Sequence, residues 1–151
     1  MRIFESTAEL AAAVGERLGP GDWFTVDQER VDRFAEATDD HQWIHVDPER
    51  AATSPFGGTI AHGYLTLSLL PALVGRLYQV RGVRMGINYG LHRVRFPAPL
   101  RVGTAVRAGA VIADVTPVDG GVPLVVAVTV EPAEGGKPVC VAETVSRLYT
   151  G

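Results

Sequence analysis

An apolar run, "IAHGYLTLSLLPALVG" at residues 60–75, limits the folds that are open to this chain. It predicts a helix from about Ile60 to Tyr78 that is apolar on nearly every face, and such a helix has to be surrounded by other elements. The run is shorter than the roughly 20 residues that cross a bilayer, and it contains His62 and Pro71. We therefore expect a buried core helix and no membrane insertion, with a kink or an early end at Pro71.

After Arg81 the pattern changes to that of strands. Four segments rich in Val, Ile, Thr and Tyr follow one another with turn signals between them. Consecutive strands with short connections predict an antiparallel sheet. We expect an α+β fold in which the helices come first and the sheet curls around the apolar helix, and we treat residues 1–151 as one domain. The four segments are "VRMGINYGLHRVRF", "RVGTAVRAGAVIADVTPV", "GVPLVVAVTVEP" and "KPVCVAETVSRLYT".

Three cap signals predict short helices before the apolar run. Ser6 followed by Glu9 is a capping box, and Asp27 can cap the helical segment "QERVDRFAEAT". Asp47 followed by Pro48 is typical of the start of a further short helix. The stretch "TDDHQWIH" between the second and third of these has no helical period, so we expect a loop there.

The charge is distributed unevenly along the chain. Residues 1–50 hold 12 acidic and 5 basic side chains, whereas residues 51–113 hold seven arginines and no acid. Those arginines either pair with the acidic N-terminal third or bind an anionic group, for which arginine is well suited. The net charge of −3 and the lack of lysine clusters oppose nucleic acid as a partner.

A single cysteine, Cys140, makes no internal disulfide and favours a cytoplasmic location.

The loop "DDHQWIH" holds the side chains best able to move protons at neutral pH. Asp40 and His45 are five residues apart, and a loop between two helices can bring both to one point. Trp43 and Ile44 would then supply an apolar wall. The alternative is that the acids only end a helix and that His45 packs against Trp43; spacing alone leaves both open.

His62 and Gly63 open the apolar run's helix. Glycine there allows another group to approach the backbone, and the free N–H groups of a helix start can polarise a carbonyl. Tight packing of the helix would also explain Gly63.

A metal site is not expected, because His41 and His45 lack the glutamate of the helical zinc motif. There is no G-x-S-x-G nucleophile motif, P-loop or G-x-G-x-x-G.

Taken together, these motifs resemble the hydratase-2 motif of the MaoC-like (R)-specific enoyl-CoA hydratases. The resemblance covers roughly residues 25–150. One departure concerns Gln42-Trp43, which stands where many members have Asn-Pro; Gln42 is expected to keep the amide's role. The matching positions are Phe34-Ala35, Asp40, His45, Asp47-Pro48 and His62-Gly63, followed downstream by Phe96, Pro99, Leu100 and Gly103.

The resemblance implies a hot-dog fold, with an antiparallel sheet wrapped around one long central helix, and a homodimer. The implied substrate is an acyl-CoA or acyl-carrier-protein thioester, with no metal and no cofactor. The implied reaction is reversible syn addition of water to a trans-2-enoyl thioester, giving the (R)-3-hydroxyacyl thioester. By analogy, Asp40 and His45 hold and activate the water, and the Gly63 backbone N–H polarises the thioester carbonyl.

Four further residues are expected at the substrate: Gln42, His62, Asn88 and Tyr89. Asp39 and His41 are interpreted as bystanders. Two other functions stay open, a hot-dog thioesterase and a non-catalytic acyl-thioester binding module.

Overall fold

The computed structural model describes all 151 residues, and most of its strands belong to one sheet. Each of the four segments predicted as strands forms one long strand. The elements are β1 (Arg2–Phe4), α1 (Thr7–Ala12), β2 (Arg17–Leu18), β3 (Phe24–Thr25), α2 (Gln28–Thr38), α3 (Trp43–Val46), α4 (Pro48–Ala52), α5 (Gly63–Ser68), α6 (Leu70–Val74), β4 (Tyr78–Val80), β5 (Val83–Arg95), β6 (Ala105–Val115), β7 (Val122–Pro132) and β8 (Cys140–Thr150).

The main sheet is antiparallel, in the order β2-β6-β7-β8-β5, with β3 also paired to β6. On β7, Leu124, Val126 and Val128 are buried and alternate with more exposed residues, so one face of the sheet covers the core. Leu65, Leu70 and other residues of α5 and α6 belong to the same core. The predicted α+β hot-dog class, with an antiparallel sheet around central helical structure, is confirmed.

The central helical region is shorter and more broken than the predicted helix from Ile60 to Tyr78. Helices α5 and α6 are separated at Leu69, and Pro71 lies in the first turn of α6. Proline has no N–H to donate to the preceding turn, which explains the break. The chain before α5 is not helical, because the N–H groups of Ile60 and Ala61 donate to other segments, at Ile44 and Leu100.

The predicted caps are all present. Side-chain oxygens of Ser6, Asp27 and Asp47 accept from backbone N–H groups at the starts of α1, α2 and α4. The expected loop before α4 is partly wrong, because Trp43–Val46 forms one turn of helix. No helix in the structure combines the length and the apolar character needed to cross a membrane.

Three pairings of short strands lie outside the predicted elements. Strands β1 and β4 pair in parallel, and β2 and β3 each pair with β6.

Of the seven arginines between residues 51 and 113, only Arg81 forms an ion pair with an acid of the first 50 residues, at 3.1 Å from Glu5. Most of that arginine-rich segment is therefore not explained by pairing with the acidic N-terminal third.

Candidate active site

The end of α2 places Asp40 at the surface of the candidate site. Asp39 ends the helix in the left-handed conformation, with φ of 60°, and so turns the chain. The Asp40 side chain is 49% exposed, and its Oδ1 accepts from the backbone N–H of Gln42 at 3.4 Å. His41 points elsewhere, with its Nε2 3.6 Å from Glu36. The carboxylate of Asp40 is thus open to a ligand.

The single turn of α3 carries His45 into the protein, where only 7% of the residue is exposed. Its Nδ1 lies 2.6 Å from the carbonyl oxygen of Ile60. A carbonyl can only accept, so in the neutral imidazole Nδ1 carries the hydrogen and Nε2 is left with a free lone pair. His45 is therefore set up to accept a proton at Nε2.

The surroundings of His45 favour this neutral form. Burial lowers the pKa of His45 from its ordinary value of 6.5, and the neighbouring His62 lowers it further. The hydrogen bond to Ile60 and the charge of Asp40 act in the opposite direction without reversing the shift. His45 is thus held as a neutral base at and somewhat below neutral pH.

The structure brings Asp40, His45 and His62 together, with one polar side-chain atom from each within 4.8 Å of the others. His62 is almost fully buried and lies against His45, with ring centroids 3.8 Å apart and an angle of 24° between the rings. Its Nε2 donates to the backbone carbonyl of Asp40 at 3.0 Å.

This geometry does not suit a metal ion. In-plane lone pairs on two nearly parallel stacked rings run alongside each other and do not converge on one point. The Nε2 of His62 is also already used by the Asp40 carbonyl. The three side chains include groups that can give or take a proton near neutral pH.

Gly63 follows His62 as the first residue of α5, where N–H groups have no acceptor within the helix. The ring of Phe96 packs directly over its α-carbon. A Cβ at residue 63 would lie 2.9 Å from two ring carbons of Phe96, so no larger residue fits without movement. A close contact therefore favours glycine here, next to the stacked histidines.

The remaining predicted site residues divide into two groups. Gln42 is exposed beside Asp40 and precedes α3. Asn88 and Tyr89 lie farther along, lining a cavity of about 410 Å³ with Pro71 and part of α5. The Asp40 cluster does not line that cavity. Helix α5 joins the two regions, because it begins at Gly63 and its last residues line the cavity.

Sequence reasoning missed Gln28 and Thr59, which support the backbone of His45. Gln28 donates from Nε2 to the backbone carbonyl of His45 at 2.8 Å, and its Oε1 accepts from the Thr59 hydroxyl at 2.6 Å. It thereby joins α2, α3 and the segment before α5. The only sequence signal for Gln28 is its place after the Asp27 cap, which says nothing of partners 17 and 31 residues away.

Comparison with known proteins agrees with the fold. The family model for the MaoC like domain matches residues 9–134. The chain is 60% identical over 121 residues to 3-hydroxyacyl-thioester dehydratase Z of Mycobacterium tuberculosis, which covers 80% of each chain.

Solved structures show the same fold. An (R)-hydratase from A. caviae superposes with a TM-score of 0.71 at 27% identity, covering 89% of this chain and 96% of that one. An Archaeoglobus protein described as a monoamine oxidase regulatory protein gives a TM-score of 0.80 at 24% identity, covering 99% and 97%. The fold and the relatives define a hot-dog enzyme of the hydro-lyase class. The chain belongs to the MaoC-like dehydratase family.

Proposed function

We propose that this protein catalyses the reversible, (R)-specific addition of water to a trans-2-enoyl thioester, giving the (R)-3-hydroxyacyl thioester. The observation that carries the proposal is the approach of an open carboxylate, Asp40, to a neutral imidazole, His45, whose Nε2 is free. The relatives add weight, since one is named a 3-hydroxyacyl-thioester dehydratase and a solved neighbour an (R)-hydratase.

Asp40 and His45 hold one water molecule between them in this mechanism. His45 Nε2 accepts a proton from the water as the water oxygen bonds to the β-carbon of the substrate. That proton then passes from the imidazolium to the Asp40 carboxylate, and Asp40 delivers it to the α-carbon, so both groups return to their starting states. One water is consumed and the C=C bond becomes a C–C bond. No electrons are exchanged, so the reaction needs no oxidant or reductant, and it is proposed without metal or cofactor, as the resemblance to the family implies.

The backbone N–H of Gly63 has the role of polarising the thioester carbonyl. Negative charge develops on that oxygen when water attacks the β-carbon, and a donor already in place stabilises it without reorganisation. Phe96 over the Gly63 α-carbon adds an apolar surface beside the same point. An apolar surface there limits competition from bulk water for the N–H donor.

The acyl chain is proposed to follow α5 away from the cluster into the cavity of about 410 Å³ that Asn88 and Tyr89 line. Gly63 and Ser68, which lies at the cavity, are the first and last residues of α5, and an α-helix rises about 1.5 Å per residue. An acyl chain of several carbons therefore spans the distance between them. Gln42, exposed beside Asp40, is proposed to hydrogen-bond the thioester end. The carrier is coenzyme A or an acyl carrier protein.

A homodimer is proposed to form through β5. This strand is at the edge of the sheet and is exposed along almost its whole length of 13 residues. Met85, Ile87 and Leu91 on it are each 44–50% exposed, although they are large and apolar. An open edge with apolar side chains is unfavourable in a monomer and is relieved by pairing with a second copy.

Crotonyl-CoA and long-chain enoyl-CoA separate the candidate activities in one assay. The proposal predicts loss of the enoyl absorbance without release of free thiol, and chiral chromatography of the hydrolysed product should give the (R)-3-hydroxy acid. Free thiol would indicate the thioesterase. Binding without either reaction would indicate the non-catalytic acyl-thioester module, and an (S) product would contradict the stereochemistry.

A further inference from the structure

His62 touches every part of the proposed catalytic centre. Its Nε2 donates to the Asp40 carbonyl at 3.0 Å and lies 3.9 Å from the Asp40 carboxylate. Its ring stacks on His45, and its own peptide bond supplies the N–H of Gly63. A shift of this one side chain would therefore disturb all three residues.

Burial excludes direct contact with a substrate in this conformation. His62 is 2% exposed and is enclosed by two rings, that of His45 at 3.8 Å and that of Phe34 at 4.9 Å between centroids. The sequence predicted a substrate contact for His62, and the burial points instead to an action through its neighbours.

The unused nitrogen of His62 supports the same conclusion. Because Nε2–H donates to the Asp40 carbonyl, Nδ1 is a bare acceptor, and it is buried without any hydrogen-bond partner. An unpaired buried acceptor costs free energy. A phenylalanine would fill similar space without that cost, so the value of an imidazole here lies in its Nε2–H.

Without the hydrogen bond from His62 Nε2–H, little would fix the position of Asp40. It follows a residue in the left-handed conformation, its side chain is half exposed, and the only other hydrogen bond to it is the long one from Gln42. The donor from His62 fixes the Asp40 backbone, and the backbone in turn directs the carboxylate.

We propose that His62 is a positioning residue, whose Nε2–H fixes the Asp40 backbone and whose ring supports the His45 imidazole. This inference rests on the proposed hydratase function. His62 also places a second titratable ring against His45. The titratable groups facing His45 are Asp40, from the loop after α2, and His62, while α2 contributes the apolar ring of Phe34 behind His62.

Two variants separate the two contacts. His62→Phe keeps a ring against His45 and removes the donor, so kcat for crotonyl-CoA should fall about ten- to a hundredfold with KM little changed. His62→Gln keeps an amide donor that can reach the Asp40 carbonyl, so it should recover most of the lost kcat. Thr66→Val is the matched control, because Thr66 is equally buried on α5 and its hydrogen bond to the His62 carbonyl comes from the backbone N–H, which valine keeps; its kcat should stay at the wild-type level.

Two other kinetic results would contradict the inference. A rise in KM with kcat unchanged in His62→Phe would mean substrate contact, and unchanged kinetics in both variants would mean no role. Circular dichroism and thermal unfolding establish that each variant folds, and if His62→Phe does not, His62→Leu, which also lacks the donor, takes its place with the same expected fall in kcat.

An NMR titration of ¹³C-labelled histidines tests the contact without requiring activity. Removal of the neighbouring imidazole in His62→Gln should raise the pKa of His45 toward its ordinary value, and an unchanged or lower pKa would contradict the inference. If wild-type protein turns over no acyl thioester, the proposed function fails. The titration still shows whether the His62 imidazole changes the pKa of His45.

Discussion

His45 Nδ1 donates to the carbonyl oxygen of Ile60 at 2.6 Å, across 15 residues of chain. This bond determines which nitrogen of His45 can act as a base, because it leaves Nε2 without its hydrogen. The Ile60 carbonyl is available for it because the chain there is extended, with its N–H bonded to Ile44. The start of the apolar run therefore supplies both the orienting carbonyl and, three residues later, the proposed carbonyl-polarising N–H.

The first prediction concerns the acid side of the pH profile. Since burial lowers the pKa of His45, the neutral base persists as the pH falls through 6.5, where an ordinary histidine is half protonated. We expect the acid limb of kcat/KM for crotonyl-CoA to lie below pH 6.5, and a limb at or above it would contradict the assigned base.

The same shift has a consequence for stability. The unfolded chain binds a proton at His45 more readily than the folded protein, so the contribution of His45 to stability is complete above about pH 6.5 and declines below it. Urea unfolding at pH 7 and pH 5 should show this decline for wild type. The decline should be smaller in His45→Gln, in which the titrating group is absent, and an equal decline in both would show that other groups cause it.

The second prediction concerns the contact between Gly63 and Phe96. In Gly63→Ala the new methyl group would lie 2.9 Å from the Phe96 ring, so either the ring or the start of α5 has to move. We expect kcat/KM to fall about tenfold or more. Replacing Phe96 by leucine in the same chain should restore part of the loss.

Gly109→Ala is the control for that substitution. A Cβ at Gly109 would have no neighbour closer than 3.9 Å, so activity should be unchanged. If Gly63→Ala is as active as Gly109→Ala, the Gly63 position has no catalytic importance.

The third prediction concerns acyl chain length. Ser68 lines the cavity of about 410 Å³ with Asn88 and Tyr89, so Ser68→Phe should occupy part of that space. We expect kcat/KM for eight-carbon and longer enoyl-CoA to fall about tenfold or more, with crotonyl-CoA nearly unaffected. Ala72→Phe, exposed on α6 and outside the cavity lining, should leave the length profile unchanged. Equal loss for short and long chains would mean that the acyl chain does not enter this cavity.

The fourth prediction concerns assembly. Light scattering after gel filtration should give twice the chain mass of 16.1 kDa. Ile87→Lys should shift the protein toward the monomer, because a charge would be buried between the paired β5 strands. Val118→Lys is the control, since Val118 is equally exposed, at 46%, but lies in the turn between β6 and β7. A monomeric wild type would contradict the proposed interface.

The sequence predicted those parts of the fold that local patterns determine. Asp27 caps α2 because its carboxylate meets a nearby N–H, and the alternation on β7 follows from one buried face. The break at Leu69 also follows from a local signal, because Pro71 predicted a kink or an early end of the helix. The short strands β1 to β4 depend on contacts far along the chain, and two or three residues are too few to show a period. The tautomer of His45 and the support from Gln28 depend on such contacts as well.

The most direct measurement of the central claim is the rate of crotonyl-CoA hydration by wild type, Asp40→Asn and His45→Gln, followed by enoyl absorbance with free thiol assayed in parallel. The account predicts hydration without thiol release by wild type and a fall in kcat of about 10²- to 10⁴-fold in each variant, since each removes a group that transfers a proton. Hydration by folded Asp40→Asn at the wild-type rate would contradict it.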